Sequence, residues 1–171
     1  MSKKHQRLQT PILKELLQPR LVDPRNRICV LGVGAEIRGD DALGVRLADS
    51  LRERLASVAR FKSVSGHAAP ENCTGEIIKF RPTHLIVLDA ADCGEPPGTI
   101  SLIERDAIAG ASFSTHTLPL KIIIDYLEKS TGCETLVLGV QPKSLEICAE
   151  LSPEMNSAMK TLEAMFLQFV S

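Results

Sequence analysis

The sequence of this 171-residue chain predicts an α/β fold. We expect a three-layer α/β/α arrangement, in which a twisted, mostly parallel central sheet of about five strands has helices on both faces. Strand-like and helix-like segments alternate along the chain. Residues 85–88 are all apolar, as in a strand that is buried on both sides. An apolar run at 28–31 leads into a glycine-rich loop and an amphipathic helix, the usual start of an open α/β sheet.

In the first half of the chain, the elements follow from these patterns in order. The apolar run defines a first strand over 27–33. Apolar residues at helical spacing, among them Val45 and Leu51, predict a helix over 42–58. The continued alternation of patterns predicts a strand over 61–65 and a helix over 73–80.

The second half begins with the buried strand, which we predict over 83–89. The turn at 95–98, Glu-Pro-Pro-Gly, separates it from a strand over 99–104. Pro119 fits the first turn of a helix over 118–129. A backbone N–H at that position has no partner within the helix, so proline, which lacks it, costs no hydrogen bond. The last two elements are a strand over 134–140 and a helix over 153–169.

Residues 1–26 differ from the rest of the chain. Leucine and isoleucine side chains on one side of 2–17 predict a short amphipathic helix, and Pro19 and Pro24 separate it from the first strand. We therefore expect an N-terminal extension over 1–26, which serves as a docking or oligomerisation arm, and a single α/β domain over 27–171.

The composition excludes several classes of protein. A net charge of −1 provides no basic excess for binding nucleic acid. No apolar stretch has the length of a membrane span, and the polar N-terminus is unlike a signal peptide. The five cysteines are an odd number and contain no Cys-x-x-Cys pair, which favours reduced thiols and a cytoplasmic location. We take a monomer as the default oligomeric state.

The loop after the first strand is suited to presenting carboxylates rather than to binding phosphate. Gly32 and Gly34 are followed by Ile37 where a dinucleotide-binding loop has its third glycine. Asp40 and Asp41 lie at the partially positive N-terminus of the next helix and would repel a phosphate. We therefore expect the loop to attract cations or to serve acid–base chemistry.

Three polar residues should meet at the carboxyl edge of the sheet, where ligands of open α/β folds collect. Asp41 follows the first strand, Asp89 ends the buried strand, and His116 precedes the helix over 118–129. Two carboxylates and one imidazole suit a divalent transition metal with open coordination positions. The same three groups would equally serve as an acid–base set without a metal.

Each of these residues also has a structural interpretation. Asp40 or Asp41 would cap the helix that follows them. Asp89 would form a turn at the end of its strand, and His116 would lie at the surface or cap a helix. His67, which follows the second strand, is a further candidate for reaching the same edge of the sheet.

Six short motifs occur together in a characteristic order. They are Leu31-Gly32-Val33-Gly34, Arg38-Gly39-Asp40-Asp41, Leu88-Asp89-Ala90, Gly94-Glu95-Pro96-Pro97-Gly98, Ser114-Thr115-His116-Thr117-Leu118-Pro119 and Leu138-Gly139-Val140-Gln141-Pro142. Over about 27–155 the chain resembles the [NiFe]-hydrogenase maturation endopeptidases. The last motif is most similar to the branch that processes the large subunits of hydrogenase-3-type, membrane-associated enzymes.

The resemblance implies an endopeptidase that removes the C-terminal extension of a hydrogenase large-subunit precursor once nickel has been inserted. Asp41, Asp89 and His116 match the family's metal-contacting residues, which implies catalytic and metal-binding roles for all three. Nickel, carried by the substrate and bound transiently, would be the recognition signal. The chain departs from the family at Ala35, often Asn, and at Ala42, often Gly. These departures concern the conformation of the loop and the partner subgroup rather than the three residues.

No Gly-x-Ser-x-Gly or comparable nucleophile motif occurs, so we expect water to attack the peptide bond. The metal or one of the carboxylates would activate that water or polarise the carbonyl. One alternative is a non-proteolytic nickel-binding maturation chaperone on the same scaffold. Another is a Rossmann-type nucleotide-binding enzyme, which the acidic pair in the loop disfavours.

Overall fold

The structure is a computed structural model that describes residues 5–108 and 120–170, and it has the expected α/β/α architecture. The strands in this part of the chain are β1 (His5–Arg7), β2 (Ile28–Val33), β3 (Phe61–His67), β4 (His84–Ala90), β5 (Ile100–Ile103) and β6 (Glu134–Val140). The helices are α1 (Thr10–Val22), α2 (Leu43–Arg54), α3 (Thr74–Phe80), α4 (Arg105–Ile108), α5 (Leu120–Thr131) and α6 (Pro153–Val170).

The six strands form one sheet with a parallel centre and an antiparallel edge. Their order is β1–β5–β6–β4–β2–β3. The pairs β2–β3, β2–β4 and β4–β6 are parallel, whereas β5 is antiparallel to both β6 and β1. The predicted, mostly parallel sheet of five strands is confirmed, with one additional edge strand. That strand, β1, was not predicted because its sequence, His-Gln-Arg, has no apolar pattern.

The side chains of the central strands alternate between two apolar layers. Val30 of β2 and Ile86 of β4 pack into the core beneath α1, α2 and α6. Leu31 and Val87, one residue further along, pack into a second core that includes residues of α3 and α5. Both faces of β2 and β4 are therefore buried, as continuous apolar runs predict.

The N-terminal helix lies further along the chain than expected. The prediction of a helix over 2–17 was wrong, since α1 begins at Thr10 and continues past Pro19 to Val22. Pro19 has no N–H to donate to the preceding turn, but the buried Leu17 and Leu21 on either side of it hold the last turn in the core, so the helix continues past it. The three fully buried leucines of α1 pack in the same core as α2 and α6. They are Leu13, Leu17 and Leu21, each at most 1 % exposed.

The other predicted elements agree with the structure to within a few residues. The largest difference concerns the helix predicted over 42–58, which runs from Leu43 to Arg54. A short 3₁₀ turn, Gly39–Ala42, precedes it. Residues 118 and 119 of the helix predicted over 118–129 lie outside the described residues. Among the described helices, none combines the length and the apolar character that crossing a membrane requires.

Replacing Leu17 by alanine is expected to destabilise the protein by about 2–4 kcal/mol, because a fully buried leucine leaves a cavity. Urea unfolding would measure the change in the free energy of unfolding. Ile12→Ala on the same helix is the matched control, since Ile12 is 40 % exposed and should cost far less. Equal costs for the two variants would show that α1 does not pack in the core in solution.

Candidate functional site

The glycine loop between β2 and α2 folds back on Asp41. Gly34 has φ +138°, a conformation that side chains rarely allow, and a Cβ there would lie 1.8 Å from the Asp41 carbonyl oxygen. The Ala35 amide donates to Oδ2 of Asp41 at 2.9 Å. A phosphate-binding loop would offer this amide to its ligand. In this chain the Asp41 carboxylate already occupies it, which disfavours nucleotide binding here.

Two further glycines bring the start of α2 close to the sheet. A Cβ on Gly44 would lie 2.4 Å from the carbonyl oxygens of both Val33 and Leu88. A Cβ on Gly32 would lie 2.1 Å from the Gly44 carbonyl oxygen. The helix and the strands therefore touch backbone to backbone. This contact places the turn that carries Asp41 beside the end of β4.

Asp89 lies next to that contact, near the carboxyl end of β4. Its side chain is buried, as is that of Asp41, with 2 % and 3 % of each residue exposed. Burial raises the pKa of the Asp89 carboxyl well above its usual range, and the nearby charge of Asp41 raises it further. The two residues thus form a pair of carboxyl groups in one poorly solvated site, where bound protons or a cation would relieve their repulsion.

Asp40 has a different environment from its neighbour. Its Oδ1 accepts a hydrogen bond from the Ser152 amide at 2.6 Å, and its Oδ2 accepts from the amides of Lys143 and Ser144 at 2.8 and 3.1 Å. The Ser152 hydroxyl also donates to Oδ2, at 3.0 Å. Asp40 therefore fixes the segment between β6 and α6 against the turn. The N-cap of helix α2 is Ala42, and no side chain donates or accepts a capping hydrogen bond there. The structural interpretation, in which Asp40 or Asp41 caps this helix, is therefore wrong.

Gln141, directly after β6, holds the loop that follows Asp89. Its Oε1 accepts from the amides of Cys93 and Glu95 at 2.7 and 3.2 Å, and its Nε2 donates to Asp92 at 3.2 Å. Gln141 belongs to the motif over 138–142, but its residue type alone predicted no role for it. The sequence did contain a signal for such a role. Gln141 is a polar residue that follows an apolar strand, at the same edge of the sheet as the acidic residues. Burial also raises the pKa of the Cys93 thiol, the opposite of what an activated nucleophile needs.

Of the two histidine candidates, the structure describes only His67. His116 lies outside the described residues, so its predicted place beside Asp41 and Asp89 stays a prediction. His67 ends β3 at the expected edge, where its Nδ1 lies 3.8 Å from Oε2 of Glu36, and both side chains are half exposed. Within 5–108 and 120–170, no three His, Cys, Asp or Glu side chains form a group that could hold a metal ion.

Comparisons with known proteins identify the family to which this chain belongs. The family model for HycI, hydrogenase maturation protease, matches residues 45–169. The hydrogenase 3 maturation protease of Escherichia coli K12 is 34 % identical over 134 residues, which cover 78 % of this chain and 84 % of that protein.

Solved structures of similar proteins share the fold. The [NiFe] hydrogenase maturation protease HycI of Thermococcus kodakarensis has a TM-score of 0.80 at 28 % identity, covering 91 % of this chain and 98 % of that one. The endopeptidase HycI of Escherichia coli has a TM-score of 0.71 at 32 % identity, covering 84 % and 91 %. The sequence and the fold agree, and this chain belongs to the hydrogenase maturation protease family.

Proposed function

We propose that this protein is the endopeptidase that removes the C-terminal extension of a [NiFe]-hydrogenase large-subunit precursor after nickel insertion. The observation that carries the proposal is the buried pair of Asp41 and Asp89 at the carboxyl edge of the sheet, in a chain of this family. The five cysteines are all free thiols, which supports a cytoplasmic site of action.

The donor set fits nickel that the substrate brings to the site. Asp41 and Asp89 supply carboxylate oxygens, and their mutual repulsion would be relieved by a cation. His116 would add an imidazole nitrogen. Such a set binds a transition metal modestly, and substrate thiolates would complete the coordination. Selectivity for a loaded precursor would then depend on both partners.

Asp89 is the carboxylate best suited to serve as general base. Burial and the charge of Asp41 raise the pKa of its carboxyl group, so the ionised form accepts a proton more readily than an ordinary carboxylate does. Asp89 would take a proton from the water that attacks the scissile carbonyl carbon. The proton would pass to the amine as the C–N bond breaks. Asp41, held by the Ala35 amide, would orient the substrate-borne cation.

Intact-mass spectrometry of a large-subunit precursor tests the proposed function. The precursor would be loaded with nickel, incubated with the protein, and compared with a nickel-free precursor. We expect a loss that equals the mass of the C-terminal extension, only for the loaded form. An unchanged mass for the loaded cognate precursor would contradict the proposal. Cleavage of both forms would support the assignment of the protein as an endopeptidase but contradict the role of nickel as the recognition signal.

A further inference from the structure

Three large apolar side chains lie exposed next to the turn that carries the aspartates. Ile37 is 65 % exposed, Ile147 is 71 % exposed and Leu145 is 42 % exposed. Ile37 belongs to the glycine loop, whereas Leu145 and Ile147 belong to the segment between β6 and α6. Exposed apolar side chains that cluster in this way mark sites of protein contact more often than isolated ones do.

Backbone hydrogen bonds hold the two segments side by side. The Cys148 amide donates to the Ile37 carbonyl oxygen at 2.7 Å, which places Ile147 beside Ile37. The Asp40 amide donates to the Ser144 carbonyl oxygen at 3.1 Å, next to Leu145. The three exposed apolar residues therefore lie on neighbouring segments that come from two distant parts of the sequence.

The surface is held in place from beneath. The Asp40 carboxylate receives its four hydrogen bonds from the segment that carries Leu145 and Ile147. Cys148 has φ +62°, a left-handed conformation that is unfavourable for a residue with a side chain. Strain and buried hydrogen bonds that keep apolar side chains in solvent are typical of a binding site rather than of a connecting loop.

We propose that Ile37, Leu145 and Ile147 form a docking surface for apolar side chains of the large-subunit precursor beside its scissile bond. The inference rests on the proposed function. Ile37 lies four residues before Asp41, so the loop between β2 and α2 carries both the exposed isoleucine and the buried carboxylate. A precursor segment whose peptide bond reaches Asp41 would extend over this surface. Burying these side chains would supply binding energy that the two carboxylates cannot.

The double variant Ile37→Ser, Ile147→Ser tests the docking surface with nickel-loaded precursor as the probe. We expect KM for precursor cleavage to rise by about 10-fold or more, with kcat within about 2-fold of the unsubstituted protein. The Kd for precursor, measured by biolayer interferometry, should rise in parallel. Ile122→Ser is the matched control, since Ile122 is 54 % exposed on α5 and should change neither constant. A melting temperature close to that of the unsubstituted protein shows that each variant is folded.

The outcomes separate this inference from the proposed function. Suppose that the unsubstituted protein cleaves the precursor and that the double variant has the same KM and Kd as the unsubstituted protein. The docking surface is then refuted, whereas the proposed endopeptidase function is supported. If the unsubstituted protein fails to cleave, the protease is refuted, and the Kd comparison alone decides the docking surface. Dimerisation of the unsubstituted protein that the double variant loses, with Kd for precursor unchanged, would assign the surface to a second copy and overturn the inference.

Discussion

Asp89→Asn should abolish processing of the precursor and yet stabilise the folded protein. Loss of a general base lowers the rate of hydrolysis by about 10²–10⁴-fold. Burial and the charge of Asp41 disfavour the ionised Asp89 carboxyl group, so a neutral amide of the same shape removes that unfavourable interaction. We expect the melting temperature at neutral pH to rise by about 2–4 °C, which corresponds to about 1 kcal/mol in a chain of this length.

The stabilisation should depend on pH in a definite direction. The pKa of Asp89 is higher in the folded state than the ordinary Asp value of 3.8. Below that ordinary value the carboxyl is protonated in both states and contributes nothing to the pH dependence. As pH rises from 3.8 to the folded-state pKa, the unfolded chain releases its proton first and the stability of the folded state falls. The difference in stability between Asp89→Asn and the unsubstituted protein should therefore increase over this range.

Calorimetry at a series of pH values, together with intact-mass assays, measures both effects. Glu53→Gln on the exposed side of α2 is the control and should alter neither processing nor stability. Processing by Asp89→Asn at the unsubstituted rate would refute its assignment as general base. A lower melting temperature at every pH would show that the folded state favours the ionised carboxylate.

Gly34→Ala is expected to produce the second large effect, a loss of both stability and processing. The residue has φ +138°, and its new Cβ would lie 1.8 Å from the Asp41 carbonyl oxygen, so the turn must move. A backbone conformation of this kind costs about 1–3 kcal/mol for a residue with a side chain, and the collision adds to that cost. We expect the melting temperature to fall by about 6–12 °C. Displacing Asp41 should also lower kcat for precursor cleavage.

Gly75→Ala is the matched control for this prediction. No other atoms lie within 4 Å of a Cβ added at Gly75, which is in the first turn of α3. Alanine there should leave kcat unchanged and raise stability slightly, because it restricts the unfolded chain. If Gly34→Ala melts and cleaves as Gly75→Ala does, the turn has a different conformation in solution.

The central elements of the fold could be predicted because their signals are local. A strand such as β4 is apolar throughout, and α2 has one apolar face, so burial on a sheet explains both patterns. Strand β1 has no such signal, since its formation depends on pairing with β5 nearly 100 residues later. The position of α1 depends in the same way on the core into which its leucines pack.

The site could be predicted in part for the same reason. The place of Asp41 and Asp89 follows from where their strands end. Asp40 and Asp41 could not be distinguished by the residues alone, because their difference arises from contacts with 143–152, on the far side of the sequence. The bonds of Gln141 to the loop after Asp89 likewise join segments that only the folded chain brings together.

The contacts of Asp40 have a consequence for how this protein matures during its own synthesis. The donors to its carboxylate lie in residues 143–152, so they leave the ribosome long after the turn itself. Until then, the buried carboxylate and the segment that anchors it cannot form their hydrogen bonds. A nascent chain whose residues 143–152 are still inside the ribosome should therefore lack an anchored turn, even when β2, β3 and β4 have emerged and can pair. Proteolytic activity would arise only after residues 143–152 have left the ribosome and bonded to Asp40.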